Sequence, residues 1–149
     1  MPASPTDATP SGAPTEPVEV VRAFLAALER LDVDAALALV ADDIVYQNVP
    51  LPPARGRAAF EQQLRALERY FTGFEAEVHH IAVDGSSVLT ERTDALIRGG
   101  LRAAFWVDGT FEVVDGRIAV WRDRFDWVTL VVAVLAAAPR AVLAALARR

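Results

Sequence analysis

The sequence predicts an α+β fold in which a curved, mostly antiparallel sheet wraps around N-terminal helices. Three observations predict it. Apolar residues recur at helical spacing through the first half of the chain. After Gly73 the pattern changes to long alternating stretches, cut by Asp84-Gly85, Gly99-Gly100 and Asp115-Gly116, which have the chemistry of hairpin turns. An Ala-rich helical region around Pro139 closes the chain. Helices first and a strand meander afterwards keep the two element types apart, as α+β folds do.

Residues 1–16 are rich in Pro, Ser, Thr and Ala with almost nothing to bury, and are expected to be a disordered tail ahead of a single domain, 17–149. A helix starts at Pro17, with Val21, Phe24, Leu25 and Leu28 on one stripe. A short second helix is expected over Asp34–Ala41, capped by Asp32 or Asp34. Ile44–Val49 is extended and stops at Pro50, Pro52 and Pro53. Ala58–Phe71 is an amphipathic helix, with Phe60, Leu64, Leu67 and Phe71 on its apolar face. The strands are Phe74–Val83, Val88–Ile97, Leu101–Val114 and Arg117–Trp127. Leu101, Ala103, Phe105, Val107, Phe111 and Val113 alternate, giving one buried face.

Composition narrows the function. A chain of 149 residues suits one domain with a real core. Its 53% hydrophobic content and mean hydropathy of +0.25 point to a deep apolar cavity, a buried subunit interface, or both, so a homodimer is expected. The net charge of −5, with no basic stretch, argues against a nucleic-acid partner. There is no cysteine, hence no disulfide, thiolate nucleophile or thiolate metal site, and a reducing, cytoplasmic setting is expected. All fifteen basic residues are Arg, which removes Schiff-base chemistry. The two histidines, His79 and His80, are adjacent and face opposite ways on a strand, a poor pair for one metal ion; His80 is a candidate cavity residue. No metal and no cofactor is expected. No signal peptide is apparent, and the run from Val128 to Pro139 falls short of the about 20 residues a membrane span needs.

The chemistry concentrates around Asp123. Along Ala119–Trp127 one strand face reads Ala119, Trp121, Asp123, Phe125, Trp127, a lone carboxylate among apolar neighbours. Such a group needs a cation and donors, or takes up a proton, and that is what an acid/base catalyst requires. Arg92 with Asp94, and Tyr46 with Asn48, have the i, i+2 spacing that projects both side chains from one strand face, Cα atoms roughly 6.5–7 Å apart. Two carboxylates, a guanidinium, a phenol and an amide can hold a water and move protons at both ends of a reacting bond. Trp121, Phe125 and Phe105 read as cavity wall.

These motifs, Tyr46-Gln47-Asn48, Arg92-Thr93-Asp94 and Trp121-Arg122-Asp123-Arg124-Phe125-Asp126, in this order and at these separations, resemble the limonene epoxide hydrolase family. The element order resembles the cone-shaped fold shared by nuclear transport factor 2, ketosteroid isomerase and scytalone dehydratase. The resemblance covers roughly residues 18–134. It implies an Asp-Arg-Asp triad that opens an epoxide without a covalent intermediate; the apolar cavity wall, rather than the resemblance, favours a lipophilic one. Asp123 is then the general base on a water also held by Tyr46 and Asn48, Asp94 the general acid, and Arg92 the bridge. Residue by residue the same positions admit plainer readings. Arg92 and Asp94 suit a structural ion pair, and Tyr46 and Asn48 an ordinary strand end. Two other classes stay open: a ketosteroid-isomerase-like or polyketide-cyclase-like enzyme, and a non-catalytic lipophile-binding domain.

Overall fold

The computed structural model describes residues 12–147. Residues 1–11 of the expected tail lie outside the described residues. Helix α1 (Pro17–Glu29) has Pro17 in its first turn, where its missing N–H costs nothing, and buries Val20, Val21, Phe24, Leu25, Ala27 and Leu28. Helix α2 (Val33–Ala38) is capped by Asp32, whose carboxylate accepts the Ala35 N–H at 3.0 Å. It is shorter than the expected Asp34–Ala41, because Val40 already opens strand β1 (Val40–Val49). After the proline turn a two-residue strand, β2 (Ala54–Arg55), pairs back onto β1. Helix α3 (Arg57–Tyr70) follows, burying Phe60 and Leu64.

The meander comprises β3 (Gly73–Asp84), β4 (Ser87–Arg98), β5 (Leu101–Val114) and β6 (Arg117–Arg124). With β1 and β2 it forms one six-stranded sheet in the order β2-β1-β6-β5-β4-β3. Every pair is antiparallel except β1 with β6. The β5–β6 turn, Asp115-Gly116, has φ of 50° and 72°, the doubly left-handed geometry of a tight hairpin. The N-terminal helices lie against the inner face, where the core unites α1 and α2 with Phe60 of α3 and with Val88, Phe111, Ile118 and Trp121 of the sheet. Helix α4 (Trp127–Leu146) contains Pro139 and packs against β5. Asp126 fixes its start by accepting the Val128 N–H at 2.8 Å and the Thr129 hydroxyl at 2.9 Å. Among the described residues no helix is long and apolar enough to cross a membrane.

Two bulges shift faces where strict alternation predicts otherwise. Between β5 and β6 the register moves by one, from Glu112↔Val120 to Val113↔Ile118, so Ile118 and not Ala119 joins the buried face. Between β3 and β4 it moves from Val78↔Arg92 to His80↔Glu91. The extra residue, His79, turns the following side chain over, since a one-residue slip exchanges the faces. The expectation that His80 lines the cavity is therefore corrected: its side chain is 80% exposed on the outer face, hydrogen bonded to Glu91 at 2.5 Å. His79 also lies outside, bonded to Thr93 at 2.8 Å and stacked on Trp106. Strand β6 ends at Arg124 rather than Trp127; Phe125 follows it and Trp127 opens α4.

Candidate active site

Cross-strand register assembles the site. Asn48 of β1 lies beside Asp123 of β6, Asp123 beside Gly109 of β5, and Gly109 beside Thr90 of β4, a row across four strands. Arg92 and Asp94 continue from Thr90 on the same face of β4, because successive side chains on one face are two residues apart. All four polar side chains of β4 and β6 in this group, Thr90, Arg92, Asp94 and Asp123, are buried.

The Arg92 guanidinium is the hub and has no exposure to solvent. Its Nε donates to Asp94 Oδ1 at 2.8 Å and its Nη2 to Asp94 Oδ2 at 3.1 Å, a two-pronged pairing that fixes its plane. The same Nη2 donates to Asp123 Oδ2 at 2.5 Å, so one nitrogen bridges both carboxylates. Nη1 donates to the Thr90 hydroxyl at 3.1 Å, and the Phe111 ring lies 5.9 Å from the guanidinium carbon. The indole N–H of Trp121 donates to Asp123 Oδ1 at 2.6 Å. Asn48 Nδ2 donates to the Tyr46 hydroxyl at 2.8 Å, which leaves the Asn48 carbonyl oxygen and the Tyr46 O–H for another partner.

Burial dominates the protonation behaviour. It pushes the Asp123 carboxyl up to about 6; the Asp94 charge adds to the rise, while Arg92 and the Trp121 N–H oppose it. Asp94 is also raised by burial against the pull of Arg92, with Glu29 adding a smaller upward push. Burial alone works against the Arg92 charge, but the two carboxylates outweigh it and hold the group protonated. Tyr46 is raised by burial and by Asp123, so its phenol stays neutral and able to donate. Two carboxylates sharing one guanidinium in this setting retain a proton between them more readily than free carboxylates do.

These groups open onto a cavity of about 330 Å³ between the sheet and the helices. Tyr46, Asn48, Asp94 and Asp123 line its polar end. Leu64, Leu67 and Phe71 of the α3 region, Phe105 of β5, Phe125, and Trp127 and Leu130 of α4 supply apolar wall. Trp127 also donates to the Val49 carbonyl at 3.1 Å, tying α4 to the end of β1 next to Asn48. Among the described residues no group of three or more His, Asp or Glu side chains is placed to hold a metal ion.

Three contributors escape a reading by residue type. Thr90 supports the guanidinium from behind, and the Trp121 indole is a donor as well as wall. Gly109 leaves the space that Arg92 fills: a Cβ there would stand 2.2 Å from Arg92 Nη1, 2.6 Å from Thr90 Oγ1 and 3.0 Å from Asp123 Oδ1. A signal for it existed, because position 109 is the one gap in the inward series from 101 to 113, and a lone glycine inside a strand marks close approach.

Comparison with known proteins places the chain in a family. Residues 15–136 match the Limonene-1,2-epoxide hydrolase catalytic domain. The chain is 52% identical over 106 residues to Epoxide hydrolase EphG of Mycobacterium tuberculosis, spanning 71% of this chain and 70% of that one. Its structure resembles that of an M. tuberculosis LEH-like epoxide hydrolase with a TM-score of 0.79 and 46% identity, over 87% of this chain and 96% of the other. A likeness of fold alone extends to an NTF2-like protein from Burkholderia pseudomallei, at 16% identity and a TM-score of 0.70, over 79% of this chain and 96% of that one. The chain belongs to the limonene-1,2-epoxide hydrolase family and is an enzyme of the epoxide hydrolase class.

Proposed function

We propose that the enzyme adds water to a lipophilic epoxide in one step, giving a vicinal diol, with Asp123, Arg92 and Asp94 as its catalytic triad. The observation that carries this reading is the single Arg92 nitrogen donating to both carboxylates at the wall of an apolar cavity. An epoxide is strained, but its alkoxide is a poor leaving group, so ring opening needs a nucleophile and an acid together. In the proposed step a water accepts from the Tyr46 O–H and donates to the Asn48 carbonyl and to ionised Asp123. Asp123 removes one proton as the water oxygen bonds to an epoxide carbon. The carbon–oxygen bond of the ring breaks, its electron pair moves to the ring oxygen, and protonated Asp94 delivers a proton there. One proton has then passed from Asp94 to the product and one from water to Asp123. Returning a single proton from Asp123 to Asp94 restores the starting state.

The apolar walls favour a lipophilic substrate, and 330 Å³ lies near the small end of the roughly 300–1,000 Å³ typical of ligand pockets. This supports a compact epoxide, or the compact end of a longer one. We further propose a homodimer, supported by the outward apolar side chains of α4, among them Val128 at 70% and Leu135 at 65% exposure; a monomer by light scattering at micromolar concentration contradicts it. A cytoplasmic location suits a chain with no cysteine to oxidise. The proposed reaction is tested by following diol formation from terpene, styrene, fatty-acid and sterol epoxides. Diol from at least one is expected, and none from any, with folded protein, contradicts the reading.

A further inference from the structure

We infer that the nucleophilic water enters through a second, polar pocket beside Asn48, separate from the apolar mouth that admits the epoxide. The inference rests on the direct-water reading above. This side pocket has a volume of about 90 Å³ and is lined by Tyr46, Asn48, Leu51, Pro52, Ala54 and Gln63. Tyr46, Asn48 and Gln63 line the main cavity as well, so the two spaces adjoin at these three residues. One water needs roughly 10–15 Å³ and two to four polar partners. The pocket exceeds that volume, and the phenol, the carboxamide of Asn48 and the carboxamide of Gln63 provide the partners.

The pocket is built from fixed backbone rather than from a loose loop. Leu51 N–H donates to the Asn48 carbonyl at 2.7 Å, and the Gln47 side chain donates to the Leu51 carbonyl at 3.0 Å. Gly56 N–H donates to the Ile44 carbonyl at 2.8 Å, and Ala54 pairs directly with Tyr46, placing their side chains on one face. The chemistry needs such an opening. A lipophilic epoxide that fills the main cavity covers Asp94 and Asp123 with apolar groups, which exclude water from that side. Each turnover consumes one water, and an opening at the Tyr46–Asn48 end lets that water be replaced while the epoxide occupies the main cavity.

Ala54→Leu fills the side pocket from a position outside the catalytic set, and Leu51→Phe fills it from the exposed rim, where the fold is least sensitive. The assay compares a bulky terpene epoxide, which occupies the main cavity, with propylene oxide, which leaves its mouth open. In both variants kcat for the terpene epoxide is expected to fall about tenfold, equal to roughly 1.4 kcal/mol of barrier. KM should hold, and kcat for propylene oxide should stay within about twofold of the unsubstituted enzyme. An equal fall on both substrates reports damage to the Tyr46–Asn48 pair and overturns the inference. No fall on either shows water entering by the main mouth and also overturns it. Failure of the direct-water reading is distinguishable, because it places water-derived oxygen in an aspartate of the unsubstituted enzyme, where neither pocket variant acts.

Discussion

Replacing Gly109 by alanine adds one methyl group at the most crowded point of the site. The added carbon would stand 2.2 Å from Arg92 Nη1, about 1.2 Å inside the 3.4 Å at which ordinary contact begins. The β5 backbone cannot retreat easily, since Gly109 is laddered to Thr90 on one side and Asp123 on the other. The guanidinium must therefore move by about an ångström, stretching its 3.1 Å bond to Thr90 and its 2.5 Å bond to Asp123. A misplacement of about 1 Å at a reacting centre costs on the order of 10²-fold in rate. Overpacking one methyl costs about 1–3 kcal/mol of stability, which a well-folded domain of this size tolerates. Steady-state kinetics on an epoxide substrate, with a thermal melt to establish folding, measure both. A folded Gly109→Ala enzyme within about threefold of normal kcat/KM, under 1 kcal/mol of barrier, refutes the reasoning that Arg92 must sit where it does.

Other consequences follow from the same geometry. Asp123→Asn and Asp94→Asn should each remove at least about nine-tenths of the rate, and the double variant should be little worse than either single one, because the pair acts as a unit; additive losses contradict this. Asp123 is raised to about 6 by burial, so kcat/KM should fall as pH drops through that value and the base takes up its proton. Its effect on stability has the opposite sign. A carboxyl raised on folding stabilises the protein at low pH, and that contribution is lost as pH rises through about 6. A flat rate profile from pH 5 to 8 contradicts the assignment of the base. Thr90→Val removes the hydroxyl behind Arg92 Nη1 and should displace the acid limb of the pH profile, while Thr90→Ser restores it; identical profiles for the two show that the hydroxyl does not tune the triad.

Much of this was legible in the sequence, for identifiable reasons. Asp123 stands out because a carboxylate interrupts an apolar strand face, and strand alternation then places it indoors. The i, i+2 pairs at 92/94 and 46/48 follow from the same period-two geometry. The proline cluster after Val49 and the Gly-containing turns delimit the strands well. What alternation cannot reveal is a change of register. The extra residue at His79 turns His80 outward, and the extra residue at Ala119 brings Ile118 inward, with no special residue type marking either place. Helix α2 is read too long because Leu39 and Val40 continue its apolar pattern, although Val40 is already a strand residue paired with Ile118. Gly109 was visible as a gap in a pattern, but its meaning depends on Arg92 arriving from the neighbouring strand. That is a tertiary fact.

Direct attack by water has a plain readout in the position of one oxygen atom. Covalent epoxide hydrolysis proceeds through an aspartyl ester whose release needs a histidine-activated water, and the two histidines of this chain both lie on the outer face of the sheet. Enzyme in excess over epoxide, in water enriched in oxygen-18, should complete one turnover with the label in the diol. Peptides containing Asp94 and Asp123 should keep their normal mass. Label in either aspartate, with an unlabelled diol, contradicts direct attack and removes the roles given to Tyr46 and Asn48.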